Sequence, residues 1–234
     1  MKNAIITGAT KGMGRAIAAA FAQQGISLAI NSRNAAELAA FKAELMQINP
    51  AIKVFTAVAD GSNKEQLLQF ATEAQQNLGV INIIVNNLGI YAYSKILDDE
   101  AGLFEKMIST NLMPSYLLYR HFGKSMIAAG EGHIFNICSV ASLNPVVEAG
   151  SYSVTKAALL SLNNVMRLEL QPHGVKVTAI IPGSTLTDSW KGQEVDKDTM
   201  VLPEDIASAI VNVLNMSKGA NVDQLIIKPA GGQL

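Results

Sequence analysis

Along the chain, short β-branched apolar runs alternate with longer stretches in which apolar residues recur at helical spacing. Asn3 to Thr7 reads as a buried strand. Gly12 to Gln24 then reads as a helix, with Ile17, Ala20 and Phe21 on one face and Gly25 as its stop. Ile26 to Asn31 is the next strand and Ala35 to Ile48 the next helix, closed by Asn49-Pro50. A third strand ends near Ala59, and a helix over Lys64 to Leu78 stops at Gly79. Val80 to Val85 is almost continuously apolar, as a strand covered on both faces requires. A long helix over roughly Ala101 to Ala129 follows, then a strand at His133 to Cys138, a helix over Tyr152 to Gln171 and a strand at Val175 to Ile181. Pro203 to Met216 is the last helix, with Pro in its first turn and Glu204 and Asp205 behind it, and Val222 to Ile227 the last strand. No linker or repeat interrupts the alternation. It predicts an α/β fold: one doubly wound parallel sheet of about seven strands with helices on both faces, in a single domain over 1–234.

Composition acts mainly by exclusion. Hydrophobic residues at 49% and charged ones at 16% supply a core and carry no signature of disorder. A net charge of −1 steers the chain toward neither nucleic acid nor an anionic membrane. The one cysteine, Cys138, excludes an internal disulfide and fits a reducing compartment. The apolar start breaks at Thr7-Gly8, too soon for a signal peptide, and no apolar run reaches transmembrane length. A cytoplasmic protein is expected. His121, His133 and His173 lie far apart without ligand company, so no metal site is expected.

Ligands on such sheets bind outside the carboxyl ends of the strands. Strand one runs into Thr7-Gly8-Ala9-Thr10-Lys11-Gly12-Met13-Gly14. Glycines here allow a tight turn and let a pyrophosphate approach the first amides of the next helix, although the spacing is not that of the general dinucleotide fingerprint. A ligand-free glycine turn is the plainer alternative. The second strand ends in Asn31-Ser32-Arg33-Asn34, with no acid before Glu37, itself inside a helix. An NAD site usually places Asp or Glu there to hold the ribose. Arg33 and Lys11 instead offer cations to a 2′-phosphate. Either alone is an ordinary surface charge; together, with the acid missing, they favour NADP(H).

Tyr152 and Lys156 stand one helical turn apart on a shared face. Hydride transfer to a ketone needs a proton in the same step, and a phenol beside an ammonium can give it. Ser139 follows a buried strand 13 residues before Tyr152 and could hydrogen-bond a substrate oxygen. Asn111, inside the long helix, could turn a main-chain carbonyl toward a water that serves Lys156. Each has a plain structural reading by itself. Their joint occurrence in this order points to catalysis. Cys138, next to Ser139, is expected by strand alternation on the opposite side of the sheet, as core filler.

Over nearly its whole length the chain resembles the short-chain dehydrogenases/reductases, a Rossmann-type fold family. Thr7-Gly8-x-x-x-Gly12-x-Gly14 matches their cofactor loop, in which the resemblance implies Gly8, Thr10, Lys11, Gly12, Met13 and Gly14 as contacts. Asp60-Gly61-Ser62-Asn63 resembles the segment that binds adenine, and Asn86-Asn87-Leu88-Gly89 the Asn-Asn-Ala-Gly segment, while Ser32 and Arg33 are cofactor-binding candidates from their place at the end of the second strand. From these the resemblance implies Asp60, Gly61, Asn87 and Gly89 at the cofactor. Asn111, Ser139, Tyr152 and Lys156 fall where the family has its catalytic tetrad, the last two also touching cofactor. Pro182-Gly183 with Thr185 and Thr187 is similar to the stretch at the nicotinamide carboxamide. Leu88 replaces the usual alanine and Gly61 a usual hydrophobic residue. The resemblance also implies homodimers or homotetramers and a substrate lid over about 184–202, where Trp190 is either an aromatic wedge or an oligomer contact.

The expected activity is hydride transfer between NADP(H) and a small-molecule carbonyl or secondary alcohol. A 3-oxoacyl-[acyl-carrier-protein] reductase and an NADP(H)-sensing binding protein are the alternatives. The loops Tyr91 to Leu97, Leu143 to Gly150 and Ser184 to Met200 should set the substrate, and they point to a largely apolar pocket.

Overall fold

Each apolar run becomes a strand in the computed structural model, which describes residues 2–190 and 196–232. The strands are β1 (Asn3–Ile6), β2 (Ser27–Ser32), β3 (Val54–Val58), β4 (Ile83–Asn86), β5 (Gly132–Ile137), β6 (Val175–Pro182) and β7 (Gln224–Ile227). They form one parallel sheet in the order β3-β2-β1-β4-β5-β6-β7. The order reverses between β1 and β4, and a crevice opens where the two neighbouring loops part to opposite faces.

Helices α1 (Gly12–Gln23), α2 (Ala35–Ile48), α3 (Lys64–Leu78), α4 (Leu103–Met107), α5 (Met113–Ala129), α6 (Gly150–Leu170) and α7 (Pro203–Leu214) cover both faces. Alternate strand residues feed two cores. Ile6, Leu28 and Ile30 pack with Phe21 of α1, Phe41 of α2 and Ile210 of α7. Their neighbours Ile5 and Ala29 pack with Phe70 of α3, Phe122 of α5 and Met166 of α6. No helix among the described residues is long and apolar enough to cross a membrane.

Two elements depart from the sequence pattern. The fourth strand starts at Ile83 rather than Val80, because the preceding backbone bonds a side chain instead of a ladder. Asn3 Nδ2 donates to Leu78 O at 2.7 Å and Val80 O at 2.8 Å, while Asn82 Oδ1 accepts from Asn3 N at 3.0 Å. The expected long helix is interrupted: a π turn over Ile108–Leu112 joins α4 to α5. Pro114 explains the slip, since it has no N–H for the Thr110 carbonyl. Asn111 therefore sits in the π turn, not in a regular helix.

A polar chain crosses one core. Asn86 Nδ2 donates to Asn136 Oδ1 at 2.7 Å, and Asn136 Nδ2 to Asn163 Oδ1 at 2.9 Å, linking β4, β5 and α6 with all three amides buried. Such a chain fixes the seating of α6, because any other position leaves amides dry and unpaired. Asn163→Leu removes one partner and should lower unfolding free energy by about 1–3 kcal/mol in urea titration. An unchanged midpoint would show that the chain does not anchor α6.

Candidate active site

The glycine loop is shaped by close approach. Gly8 and Gly12 have φ of +64° and +52°, which side chains of L-residues rarely adopt. A Cβ on Gly14 would stand 2.4 Å from Gly8 O and 2.5 Å from Asn87 Nδ2. Asn87 ties the two crevice loops together: its Nδ2 donates to Thr7 O at 2.9 Å and Gly8 O at 3.0 Å. Thr7 Oγ1 accepts from the amides of Asn87 and Leu88 at 3.1 and 3.0 Å. The first turn of α1 carries no acid, and its N-cap Lys11 makes no side-chain cap, so a cradle of bare amides faces the crevice. That cradle fits a dinucleotide pyrophosphate.

At the rim beyond it the structure corrects the sequence picture. The end of β2 reads as acid-free in sequence, but the Asn34 side chain caps α2 and sets Glu37 in its first turn. From there Glu37 pairs with Lys11 at 2.9 Å and accepts from Thr10 Oγ1 at 3.4 Å. Thr10 also donates toward Ser32 Oγ at 3.4 Å. Hydrogen bonding to Glu37 and its charge hold the Lys11 ammonium above its usual proton affinity. Of the two expected phosphate cations, Lys11 is therefore partnered. Arg33 is exposed and carries no ion pair among the described residues.

Beside the rim, Asp60 Oδ1 accepts from Ser62 N at 2.9 Å and Ser62 Oγ at 2.7 Å. Burial opposes its ionisation, but those two bonds and the Arg33 charge outweigh burial and hold the carboxyl below its usual range. Here the two departures from the family pattern prove to be one. A Cβ on Gly61 would lie 2.8 Å from Leu88 Cδ2, so the larger Leu88 fills the space that the missing side chain leaves.

The residues of the expected tetrad gather across the crevice. Tyr152 lies in the first turn of α6 and Lys156 one turn later. Lys156 Nζ is buried, donates to Ile137 O at 2.8 Å and sits 5.7 Å from the Tyr152 ring centroid. Burial without a carboxylate partner lowers its pKa to about 8. Burial raises the Tyr152 phenol, while a hydrogen bond from the Ser139 hydroxyl pulls it back. Ser139 Oγ accepts from Ala141 N at 3.2 Å, which leaves its own proton to donate. The loop after β4 reaches this spot at Gly89, where a Cβ would stand in ordinary contact, 3.4 Å from Lys156 Nζ and 3.5 Å from Asn111 Oδ1.

Asn111 is buried, and its side chain clamps two elements. Oδ1 accepts from Ile90 N at 2.8 Å, and Nδ2 donates to Ile90 O and Thr155 Oγ1, both at 3.1 Å. It thus locks the β4 loop to the residue before Lys156. Cys138 corrects another expectation. β5 ends at Ile137, so alternation no longer governs Cys138, and it lines the same cavity as Ser139. Burial pushes its thiol up to about 12, which leaves it inert.

Together these groups wall a cavity of about 670 Å³, which Met13, Ser139, Tyr152, Pro182, Gly183, Thr185 and Thr187 line. Thr185 Oγ1 bonds Gly183 O at 2.9 Å, and Leu186 N bonds Val201 O at 2.8 Å, which straps the segment after β6 across the crevice. A Cβ on Gly12 would touch Thr187 Cγ2 at 3.2 Å, so strap and glycine loop meet. Trp190 also lines the cavity. Residues 191–195 of the expected lid lie outside the described residues. Sequence reasoning passed over Thr155 and had Tyr91 only as the start of a substrate loop. Tyr91 stands edge-on to Tyr152, with centroids 5.0 Å apart at 74°, and only loop position marks it in sequence.

Gly61→Val should cost about 1–3 kcal/mol of stability through overpacking against Leu88. Leu88→Ala in the same chain should recover most of it. Thermal unfolding of the two single variants and the double variant checks the coupling, and strict additivity would break the pairing.

The comparisons with known proteins agree with this geometry. The model of the short chain dehydrogenase family matches residues 2–198. An uncharacterised oxidoreductase of Staphylococcus saprophyticus is 30% identical over 228 residues, which is 97% of each chain, and one of Staphylococcus aureus matches equally well. Among solved structures, an alcohol dehydrogenase of the archaeon Thermococcus sibiricus complexed with 5-hydroxy-NADP superposes with a TM-score of 0.91 at 28% identity, over 100% of this chain and 99% of that one. A metagenomic short-chain oxidoreductase in complex with NADP gives 0.86 at 27% identity, over 98% and 97% of the two chains. With fold, crevice and relatives in agreement, the chain belongs to the short-chain dehydrogenase/reductase family of oxidoreductases.

Proposed function

We propose that the chain interconverts a carbonyl and a secondary alcohol with NADP(H), and that Tyr152 exchanges the proton. The observation that carries this reading is the convergence of Ser139 and Tyr152 on one cavity beside the glycine cradle, with the buried Lys156 ammonium behind the Tyr152 ring. When bound, the dinucleotide supplies or takes up the hydride. Gly8, Gly12 and Gly14 would admit its pyrophosphate, Ser32, Arg33 and Lys11 its 2′-phosphate, Asp60 its adenine, and Pro182 to Thr187 its nicotinamide end. The NADP complexes of the two solved relatives support NADP(H) over NAD(H).

The protein's own groups manage the oxygen. Ser139 donates to the carbonyl oxygen and stabilises the charge that develops there. Tyr152 gives its proton to that oxygen as the carbon is reduced. Lys156, protonated beside the ring, favours the tyrosinate that remains. Asn111 keeps Lys156 in place through Thr155. On this reading the enzyme is cytoplasmic and works as a homodimer or homotetramer; exposed Tyr116 of α5 and Val154, Val165 and Leu168 of α6 support an interface there.

A panel of carbonyls and alcohols followed by nicotinamide absorbance should show turnover, faster with NADPH than with NADH. Tyr152→Phe should lower kcat by about 10²- to 10⁴-fold while NADPH affinity stays within about threefold. Full turnover in that variant would remove Tyr152 from the chemistry.

A further inference from the structure

The entry to α6 is paired with the strap after β4. Ser94 and Ala149 form an isolated parallel bridge, and Gly150 N donates to Ser94 O at 3.1 Å. This register sets Tyr93 beside Glu148, and both line the cavity with Tyr91, Tyr152 and Trp190. Glu148 is the one charged residue among the described residues that line it. The carboxylate is half-buried, and among the described residues it makes no hydrogen bond and no ion pair. It does not cap α6 either: the N-cap is Ala149, and the side chain that reaches the first turn is Asp99, which accepts from Ser151 Oγ.

A carboxylate partly withdrawn from water and left without a cation is costly, and a ligand that supplies the cation recovers that cost. Aromatic faces act in the same direction, since their quadrupoles attract a positive charge, Trp most strongly. A neutral substrate would desolvate Glu148 without compensation, and an anionic one would be repelled. Burial raises the proton affinity of the Tyr91 phenol, and the charges of Tyr152, Tyr93 and Glu148 raise it further. The remaining lining near Glu148, Val146 and Ala149, is apolar.

We propose that the cavity selects a cationic substrate: an ammonium-bearing, otherwise apolar ketone or secondary alcohol. Its charge lies between the Glu148 carboxylate and the rings of Tyr91, Tyr93 and Trp190 while its oxygen reaches Ser139 and Tyr152. This assignment rests on the oxidoreductase reading above and adds the substrate class to it.

The test uses matched phenyl ketones that carry either a trimethylammonium group or its neutral isostere, a tert-butyl group, with NADPH as reductant. The wild-type protein should favour the cationic ketone by about 10- to 100-fold in kcat/KM. Glu148→Gln should bring that ratio close to one, and Glu148→Lys should shift preference to a matched carboxylate ketone. Trp190, the chain's one tryptophan, gives a readout without turnover. Its fluorescence should respond to the trimethylammonium probe, with a midpoint about tenfold or more higher in Glu148→Gln. Equal kcat/KM for the pair, or a preference untouched by Glu148→Gln, overturns the cation site, while reduction of the neutral ketone leaves the oxidoreductase reading standing. Failure of every ketone to oxidise NADPH counts against that reading instead, and the Trp190 titration then decides the cation site alone.

Discussion

Burying the Lys156 ammonium at the end of α6's first turns removes it from water, and one hydrogen bond to Ile137 O offsets that loss only in part. The lowering of its pKa to about 8 reflects the shortfall. Everything around the crevice serves to keep this charge where it is. The loop after β4 comes up against it at Gly89, and the π turn presents Asn111 so that one amide grips both Ile90 and Thr155. Behind α6, the Asn86–Asn136–Asn163 chain fixes the helix against the sheet. A buried cation beside a phenol is a poor contribution to stability and a useful arrangement for moving a proton.

The opposite wall follows from backbone economy rather than charge. Gly14 has no room for a side chain because Gly8 O and Asn87 Nδ2 press against it. The same Asn87 that crowds it holds the two crevice loops at a fixed separation. Amides, not side chains, are therefore what the crevice offers to a phosphate. Charge enters only at the rim, where Glu37 holds Lys11 and leaves Arg33 exposed. Any 2′-phosphate arriving there would compete with Glu37 for Lys11, so the rim's preference for a phosphate is moderated by the protein itself.

Much of this was legible in the sequence, for physical reasons that differ by residue. Parallel strands buried on both faces leave apolar runs that period alone reveals, which is why every strand given an expected start, except β4, begins within a residue or two of it, and β3 ends next to the expected Ala59. The exception at β4 was hidden because Asn3 satisfies the backbone of residues 78–80 from a distant part of the chain. Tyr152, Lys156 and Ser139 could be named because their spacing is local or their strand ends are clear. Glu37 lies inside a helix as read, but its pairing with Lys11 was not legible, since only the helix start carries it back to the glycine loop. Cys138 is core filler as read, packed with Leu159, Leu160, Ala179 and Ile181, but it also lines the cavity with Ser139, because the strand ends one residue early. The coupling of Gly61 with Leu88 joins two segments far apart in the chain, and nothing in either segment alone announces it. Glu148 was visible only as one charge among several in the loops; its isolation inside the cavity needed the Ser94–Ala149 bridge.

On the proposed mechanism, the proton affinity of Lys156 is the quantity on which the chemistry turns. NMR titration of the ¹³Cε resonances of lysine-labelled protein, with Lys156→Met to assign the signal, measures it directly. One lysine titrating near pH 8, and absent from the variant, is the predicted result. A Lys156 that titrates with the surface lysines at about 10.4 would contradict the account, because its charge would then be solvated and free of the phenol.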